Sequence, residues 1–91
     1  MRERINRLLV ATVTLFSRPG CHLCDDARVV LEGVRATHPF ALDERDIEAD
    51  DATFKAYLER IPVIALDGEE LYEFHVDAED LRARLSLPDP E

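Results

Sequence analysis

Hydrophobic residues along this chain have the spacing of β-strands in some segments and of amphipathic helices in others, and the two kinds of segment alternate. The stretch Val10 to Phe16, VATVTLF, combines β-branched and apolar residues and predicts a strand buried on both faces. SRPG then interrupts it, and apolar residues return at the spacing of an amphipathic helix, which we expect to begin at or just before the cysteines. The apolar positions of that helix are Leu23, Ala27, Val30, Leu31 and Val34.

A second strand and a second helix come next. Phe40 to Ile47 predicts a less regular strand, because DERD interrupts its apolar alternation. EADDATFKAYLER predicts a short helix that starts near Asp50 or Asp51. The residues that this helix is expected to bury are Phe54, Tyr57 and Leu58.

The last third of the chain predicts a hairpin and a closing helix. IPVIAL and ELYEF flank Asp67-Gly68, which is the strongest hairpin signal in the sequence. Asp77, with Asp80 three residues later, predicts an N-cap for a final helix that stops at Pro88. The residues of this helix expected to face the sheet are Leu81 and Leu85.

The predicted order is therefore β-α-β-α-β-β-α, an α/β fold with a four-stranded mixed sheet flanked by helices. A right-handed crossover in the first β-α-β unit places helices on the faces of the sheet. No repeat or linker divides the sequence, so residues 1–91 are expected to form a single domain, with 1–9 as a loosely ordered leader.

Charge and length narrow the function classes. Twenty acidic and eleven basic residues give a net charge of -9, which disfavours nucleic-acid binding. No stretch has the length of a membrane span, and LLVATVTLF is too short and too polar for a secretory signal. We therefore expect a cytoplasmic monomer, in a reducing compartment where a close cysteine pair is more often catalytic or metal-binding than structural.

The two cysteines, Cys21 and Cys24, lie three positions apart where a strand passes into a helix. Unpaired N–H groups and the dipole of the first helical turn favour thiolate at the first sulfur, and thiolate is the nucleophile. The spacing lets Cys24 resolve a mixed disulfide formed by Cys21, so the pattern favours thiol-disulfide exchange. His22 could stabilise that thiolate or be a solvated residue at the helix start.

Two other interpretations of the pair remain open at this stage. A structural zinc site needs four ligands, and the chain offers one cysteine pair with three scattered histidines, so no native metal site is predicted. Alternatively, the two cysteines could be small buried residues that lie close together in a core helix by chance. The strand-to-helix junction inside a β-α-β unit is the context that favours redox chemistry.

Over residues 12–86 the sequence resembles the thioredoxin fold superfamily and, within it, small bacterial glutaredoxin-like proteins. The resemblance is carried by TLFSRPGCHLC, DIEADD, RIPVI and the DG hairpin. It implies a thioredoxin-like fold and a glutaredoxin-like oxidoreductase of electron transport and cell redox homeostasis. The implied catalytic residues are Cys21 and Cys24. No bound cofactor is implied, and glutathione is a candidate reductant or substrate thiol.

The resemblance also implies substrate-binding positions. Ile61-Pro62 matches the place of the family's cis-proline, where the peptide of Ile61 would meet an extended substrate or glutathione. Arg18 matches the cation that meets a glutathione carboxylate. His22 and Asp77 complete the predicted set, although His22-Leu23 replaces the common Pro-Tyr and Val76-Asp77 replaces a Gly-Gly turn.

The sequence thus predicts a thiol-disulfide oxidoreductase that reduces protein disulfides or glutathione mixed disulfides. Arg18 and Arg60, each beside a motif that carries the resemblance, could form a positive patch for an anionic thiol or pair with surface carboxylates. One alternative is a non-catalytic protein-binding module or redox sensor of the same fold. A second is a dimer that holds an iron-sulfur cluster.

Overall fold

The computed structural model describes residues 11–86, and its elements follow the predicted order. They are β1 (Thr12–Ser17), α1 (His22–Arg35), β2 (Ala41–Asp46), a 3-10 turn (Ile47–Ala49), α2 (Asp51–Tyr57), β3 (Val63–Leu66), β4 (Glu69–Glu73) and α3 (Ala78–Ser86). The predicted leader at 1–9 and the stop at Pro88 lie outside the described residues. None of the helices found between residues 11 and 86 has the length and apolar character needed to span a bilayer.

The four strands form one sheet in the order β2-β1-β3-β4. β1 is central, because it pairs with β2 in parallel and with β3 in the antiparallel sense. Phe16 lies opposite Val63 on β3, and Val63 in turn lies opposite Glu73 on β4. The end of β1, the start of β3 and the end of β4 therefore lie side by side at one end of the sheet. The loop that leads to α1 leaves β1 at this end.

One face of the sheet carries the main core. Side chains from β1, α1, β3 and α3 pack there, and its fully buried members are Val13, Leu15, Leu31, Val34, Ile64 and Leu81. Burial along β1 alternates with a period of two, so the prediction that both of its faces are buried is wrong. The reason is that the opposite face of the sheet is only partly covered.

That opposite face is covered by α2. Phe16 points away from the core and stacks on Tyr57, with ring centroids 4.4 Å apart. The prediction that Phe54, Tyr57 and Leu58 are buried is wrong, since all three are half-buried. The helix has seven residues, and none of them is fully buried. Its predicted start is confirmed, because Asp50 is the N-cap and its carboxylate accepts a hydrogen bond from the Thr53 N–H at 3.0 Å.

The polar sequence DERD, which interrupts the predicted second strand, lies within β2. β2 pairs in register along all of β1, from Thr12 opposite Ala41 to Ser17 opposite Asp46. As an edge strand, β2 has one side open to solvent, and charged side chains suit that position. Main-chain pairing with β1 therefore forms the strand despite its weak apolar pattern.

The predicted hairpin turn joins β3 to β4. Asp67 and Gly68 have φ angles of 50° and 90°, as a type I′ turn requires at both central positions. The turn is also fastened to the start of β1, because the Asp67 N–H donates to the Thr12 carbonyl at 2.8 Å and the Thr12 N–H donates to Asp67 Oδ1 at 2.9 Å. Asp67 thus fixes both the hairpin and its position beside the central strand.

A polar cluster, formed by Ser17, Asp25, Arg28 and Glu44, ties α1 to the sheet below the cysteine loop. The Arg28 guanidinium binds both carboxylate oxygens of Glu44 and also donates to Asp25 Oδ1 at 2.8 Å. The buried Ser17 hydroxyl donates to Glu44 Oε2 at 2.8 Å. The hydrogen bond and charge of Arg28 hold the pKa of Glu44 below its usual value.

Two glycine substitutions are expected to change stability in opposite directions. A Cβ added at Gly33 or at Gly68 would have no other atom within 4 Å, so backbone conformation alone decides each effect. Gly68→Ala places a side chain at φ 90° and should lower the free energy of unfolding by about 1 kcal/mol. Gly33→Ala, in helix α1, should raise it by about 0.5 kcal/mol. Urea unfolding of the oxidised protein measures both, and equal signs would contradict this account.

Glu44→Gln tests the cluster through its pH dependence. At pH 7 the free energy of unfolding of the variant should be lower by roughly 0.5 to 1 kcal/mol. The expected loss is small because the side chains of Arg28 and Glu44 are each about one-third exposed to solvent. The folded-state pKa of Glu44 is lowered, so this stability is complete above the pKa of an unfolded glutamate, about 4.3, and is lost as pH falls through the folded value.

Urea unfolding of both proteins should be measured between pH 3 and 7. The difference between their free energies of unfolding should become smaller below pH 4, where Glu44 of the natural protein becomes protonated. Asp43→Asn is the matched control, because Asp43 lies on the same strand and pairs with Arg45 rather than with α1. A difference that persisted unchanged to pH 3 would show that charge on Glu44 is not what stabilises the cluster.

Candidate functional site

The two cysteines form a disulfide at the start of α1, with Cα atoms 5.2 Å apart. Cys21 is the N-cap of the helix, in an extended conformation with φ -93° and ψ 109°. Its Sγ accepts a hydrogen bond from the Cys24 N–H at 3.1 Å, and its carbonyl accepts one from the Asp25 N–H at 3.1 Å. The first sulfur therefore occupies the position at which a helix start directs its free N–H groups.

The two cysteines differ in exposure. Cys24 is fully buried, whereas Cys21 is half-exposed. A substrate can therefore reach the first residue of the pair and not the second. This asymmetry is what an attacking thiol and a resolving thiol require.

The placement of Leu23 corrects the predicted apolar stripe. Leu23 is 36% exposed, and the buried positions of α1 are Cys24, Ala27, Leu31 and Val34. Because Cys21 caps the helix, Cys24 is the first residue of the inner face and Leu23 is turned about 100° away from it. An apolar side chain thus lies on the surface between the two cysteines.

A short loop, residues 18–20, carries the chain from β1 to the disulfide. Pro19 and Gly20 form a turn, and Gly20 adopts φ 79°, a conformation that costs glycine little. Proline followed by glycine at φ > 0 is the sequence that a type II turn favours. The turn brings Cys21 back over the end of β1, where α1 can begin.

The Ile61-Pro62 peptide is cis, as the resemblance implied. Pro62 immediately precedes β3 and is buried, whereas Ile61 is half-buried. The Pro62 carbonyl accepts a hydrogen bond from the Phe74 N–H at 2.7 Å. Val63 lies opposite Phe16, so Pro62, the residue before Val63, lies at the end of the sheet where the cysteine loop leaves β1.

Arg18 lies in the cysteine loop and is paired. Its Nη2 is 2.7 Å from Glu48 Oε2, and its guanidinium carbon lies 5.5 Å from the centre of the Phe54 ring. Arg60 is paired as well, with Glu70 and Glu73, and lies 4.9 Å from the Tyr57 ring centre. Of the two interpretations of these arginines, the structure shows pairing with surface carboxylates.

Asp77 and His22 occupy different surroundings. The Asp80 N–H donates to Asp77 Oδ1 at 3.0 Å, so Asp77 is the predicted N-cap of α3. Val76 packs against the core beside it. His22 is exposed at the first position of α1, and His75 is exposed just before α3. The structure brings Arg18, His22 and Ile61-Pro62 to the disulfide end of the sheet, with Asp77 beyond the end of β4.

The polar cluster around Glu44 is the part of the site region that the sequence did not reveal. With loop residues 18–20, the cluster and Asp46 line a cleft of about 240 Å³. The i, i+3 spacing of Asp25 and Arg28 was a local signal, but Glu44 joins them only through the register of β2 on β1. Among residues 11–86, no three His, Cys, Asp or Glu side chains are grouped as metal ligands.

Comparison with known proteins places the chain in a family. The model of the glutaredoxin-like domain (DUF836) matches residues 12–86. A curated glutaredoxin-like protein of Dictyostelium discoideum is 25% identical over 83 residues, which cover 85% of this chain and 77% of that protein.

Solved structures agree in fold. Protein Ne2328 from Nitrosomonas europaea has a TM-score of 0.75 and 25% identity over 86% of this chain and 94% of its own. Protein XcR50 from X. campestris has a TM-score of 0.67 and 40% identity over 84% and 99%. A mutant thioredoxin from Halobacterium salinarum NRC-1, at 21% identity, has a TM-score of 0.61 over 92% and 79% and shows the fold alone. The chain thus has a thioredoxin-like α/β fold and belongs to the glutaredoxin-like domain (DUF836) family.

Proposed function

We propose that this protein is a thiol-disulfide oxidoreductase in which Cys21 is the nucleophile and Cys24 the resolving thiol. The observation that carries the proposal is the Cys21–Cys24 disulfide at the start of α1, with an accessible first residue that caps the helix and a fully buried second one. The family and the fold support redox chemistry at such a pair.

The reaction begins from the reduced dithiol. The Cys21 thiolate attacks one sulfur of a substrate disulfide, so that a Cys21–substrate disulfide forms and the other substrate sulfur leaves as a thiolate. Cys24 then loses its proton and attacks the Cys21 sulfur. The second substrate thiolate departs, both substrate sulfurs gain protons, and two electrons have passed from the dithiol to the substrate. The product form of the protein is the disulfide seen here.

Local hydrogen bonds support the first step. The Cys24 N–H that donates to Cys21 Sγ in the disulfide would donate to a Cys21 thiolate in the reduced form, and the helix dipole acts in the same direction. The exposed carboxylates of Asp25 and Asp26 oppose it, and Arg28, which binds both Asp25 and Glu44, offsets only part of that negative charge. The net effect favours attack by Cys21 over attack by the buried Cys24.

A second thiol must reduce the Cys21–Cys24 disulfide to complete a cycle. Glutathione or a protein dithiol supplies the two electrons, and the protein itself binds no cofactor in this scheme. Arg18 would meet a carboxylate of glutathione only by leaving Glu48, to which it is bonded through both Nε and Nη2. Ile61 precedes the sheet ladder, so its peptide groups would line an extended substrate beside Cys21. His22 and Asp77 would contact the ends of that substrate.

Matched cysteine variants test the assignment of roles. The protein is equilibrated in buffers of graded reduced to oxidised glutathione, quenched with an alkylating agent and weighed by mass spectrometry. The natural sequence should lose two hydrogens as the buffer becomes oxidising. Cys24→Ser should accumulate a mixed disulfide on Cys21, because no resolving thiol remains.

Cys21→Ser is the control, and it should neither form that adduct nor reduce bis(2-hydroxyethyl) disulfide. We expect its rate with this substrate to fall by at least a factor of about 100, to the uncatalysed background. Disulfide reductase activity retained by Cys21→Ser, or resistance of both cysteines to alkylation in the reduced native protein, would refute the proposal. A pair that cycles with dithiothreitol and only slowly with glutathione would identify a protein dithiol as the reductant.

A further inference from the structure

Phe74 has an unusual backbone conformation for a large side chain. Its φ is 70°, in the left-handed region that favours glycine, and it is nevertheless a phenylalanine that is 41% exposed. A bulky residue at positive φ is strained, and its exposed ring gains little from packing. Local folding therefore gives no reason for phenylalanine at this position.

The structure fixes Phe74 beside the candidate site. Its N–H donates to the Pro62 carbonyl at 2.7 Å, directly before β3. The His75 N–H donates to the Glu73 carbonyl at 2.7 Å, which makes a tight turn with Phe74 at its centre. Since Glu73 lies opposite Val63, and Val63 lies opposite Phe16, this turn is at the end of the sheet where the cysteine loop leaves β1.

A second exposed apolar side chain lies at the same end of the molecule. Within residues 11–86, the large hydrophobic side chains that are exposed are Leu23, Val29 and Phe74. Leu23 lies between the two cysteines, and Phe74 adjoins Pro62. Val29 lies further along α1, outside the first turn that carries the cysteines. Leu23 therefore lies at the disulfide itself, and Phe74 lies at the end of the sheet from which the cysteine loop leaves β1.

Charge near the disulfide disfavours a small anion. Arg18 is occupied by Glu48, and Arg60 by Glu70 and Glu73. Asp25 and Asp26 are exposed near the start of α1, and the chain carries a net charge of -9. Oxidised glutathione, which is negatively charged at neutral pH, would be repelled by this surface, whereas an apolar contact is indifferent to it.

From these observations we propose that Phe74 contacts the substrate and selects disulfides of polypeptides with a large apolar side chain next to the cysteine. This inference rests on the proposed oxidoreductase function and names the substrate class for the same site. The polypeptide lies extended beside Ile61, and its apolar side chain packs on the Phe74 ring. The electrons and protons move as in the reaction described above, so no further reactant is needed.

The test uses two synthetic peptides, each with one intramolecular disulfide, that differ only in leucine or alanine before the first cysteine. Pre-reduced full-length protein is mixed with each oxidised peptide, and second-order rate constants are measured by quenching with an alkylating agent. The natural protein should prefer the leucine peptide by about tenfold, the order expected for burying one aliphatic side chain in part. Phe74→Gly should abolish most of that preference, and Phe74→Leu should retain it.

Two controls separate a binding role from a structural one. Glycine adopts φ 70° freely, so Phe74→Gly should unfold at the same urea concentration as the natural protein or at a higher one. Val29→Ala removes an exposed apolar side chain from α1 and should leave the leucine-to-alanine preference unchanged.

Equal rates for the two peptides with the natural protein, or an unchanged preference in Phe74→Gly, would overturn the inference. Bis(2-hydroxyethyl) disulfide, which has no side chain to contact Phe74, distinguishes this failure from failure of the proposed function. Reduction of that small disulfide together with equal peptide rates would refute only the selectivity. No reduction of any of the three substrates would refute the oxidoreductase and the selectivity with it.

Discussion

The two-sided pairing of β1 is the constraint on which the position of the disulfide depends. β1 is held by β2 on one edge and β3 on the other, and it buries Val13 and Leu15 in the main core. Because side chains alternate along a strand, a shift of one residue would move Leu15 to the open face and Phe16 into the core. The register of β1 therefore determines where Ser17 ends the strand, and with it where the short loop delivers Cys21 to the start of α1.

The alignment of strand ends at the end of the sheet where β1 stops explains why residues far apart in sequence lie together there. β3 begins next to the end of β1, so the Ile61-Pro62 peptide lies beside the loop that carries Cys21. β4 ends beside the start of β3, which brings Phe74 to the Pro62 carbonyl. Asp67 holds the opposite end of the hairpin against Thr12. Strand pairing thus positions the backbone of the site, and the residues just beyond the strand ends supply its chemistry.

Much of this arrangement follows from local sequence signals. The cysteine pair, the Asp67-Gly68 turn and the caps Asp50 and Asp77 each depend on a few neighbouring residues, and each was predicted. The outward position of Leu23 was not, because it depends on which residue caps α1. The half-burial of Tyr57 and the Glu44 cluster depend on long-range register, which a single sequence does not specify. The conformation of Phe74 has no local signature, since positive φ is normally marked by glycine or asparagine.

Arginine pairing and backbone strain together bear on what the site can recognise. Arg18, Arg28 and Arg60 each join segments around the disulfide, and each does so through carboxylates of neighbouring elements. Their charges are thereby paired within the fold, and the exposed side chains at this end of the sheet include the acidic Asp25 and Asp26 and the apolar Leu23 and Phe74. The chain places glycine at two of its other left-handed positions, Gly20 and Gly68, where only a turn is needed. A phenylalanine in the same conformation gives up stability that glycine would retain, and such a loss is expected where a side chain serves binding instead of folding.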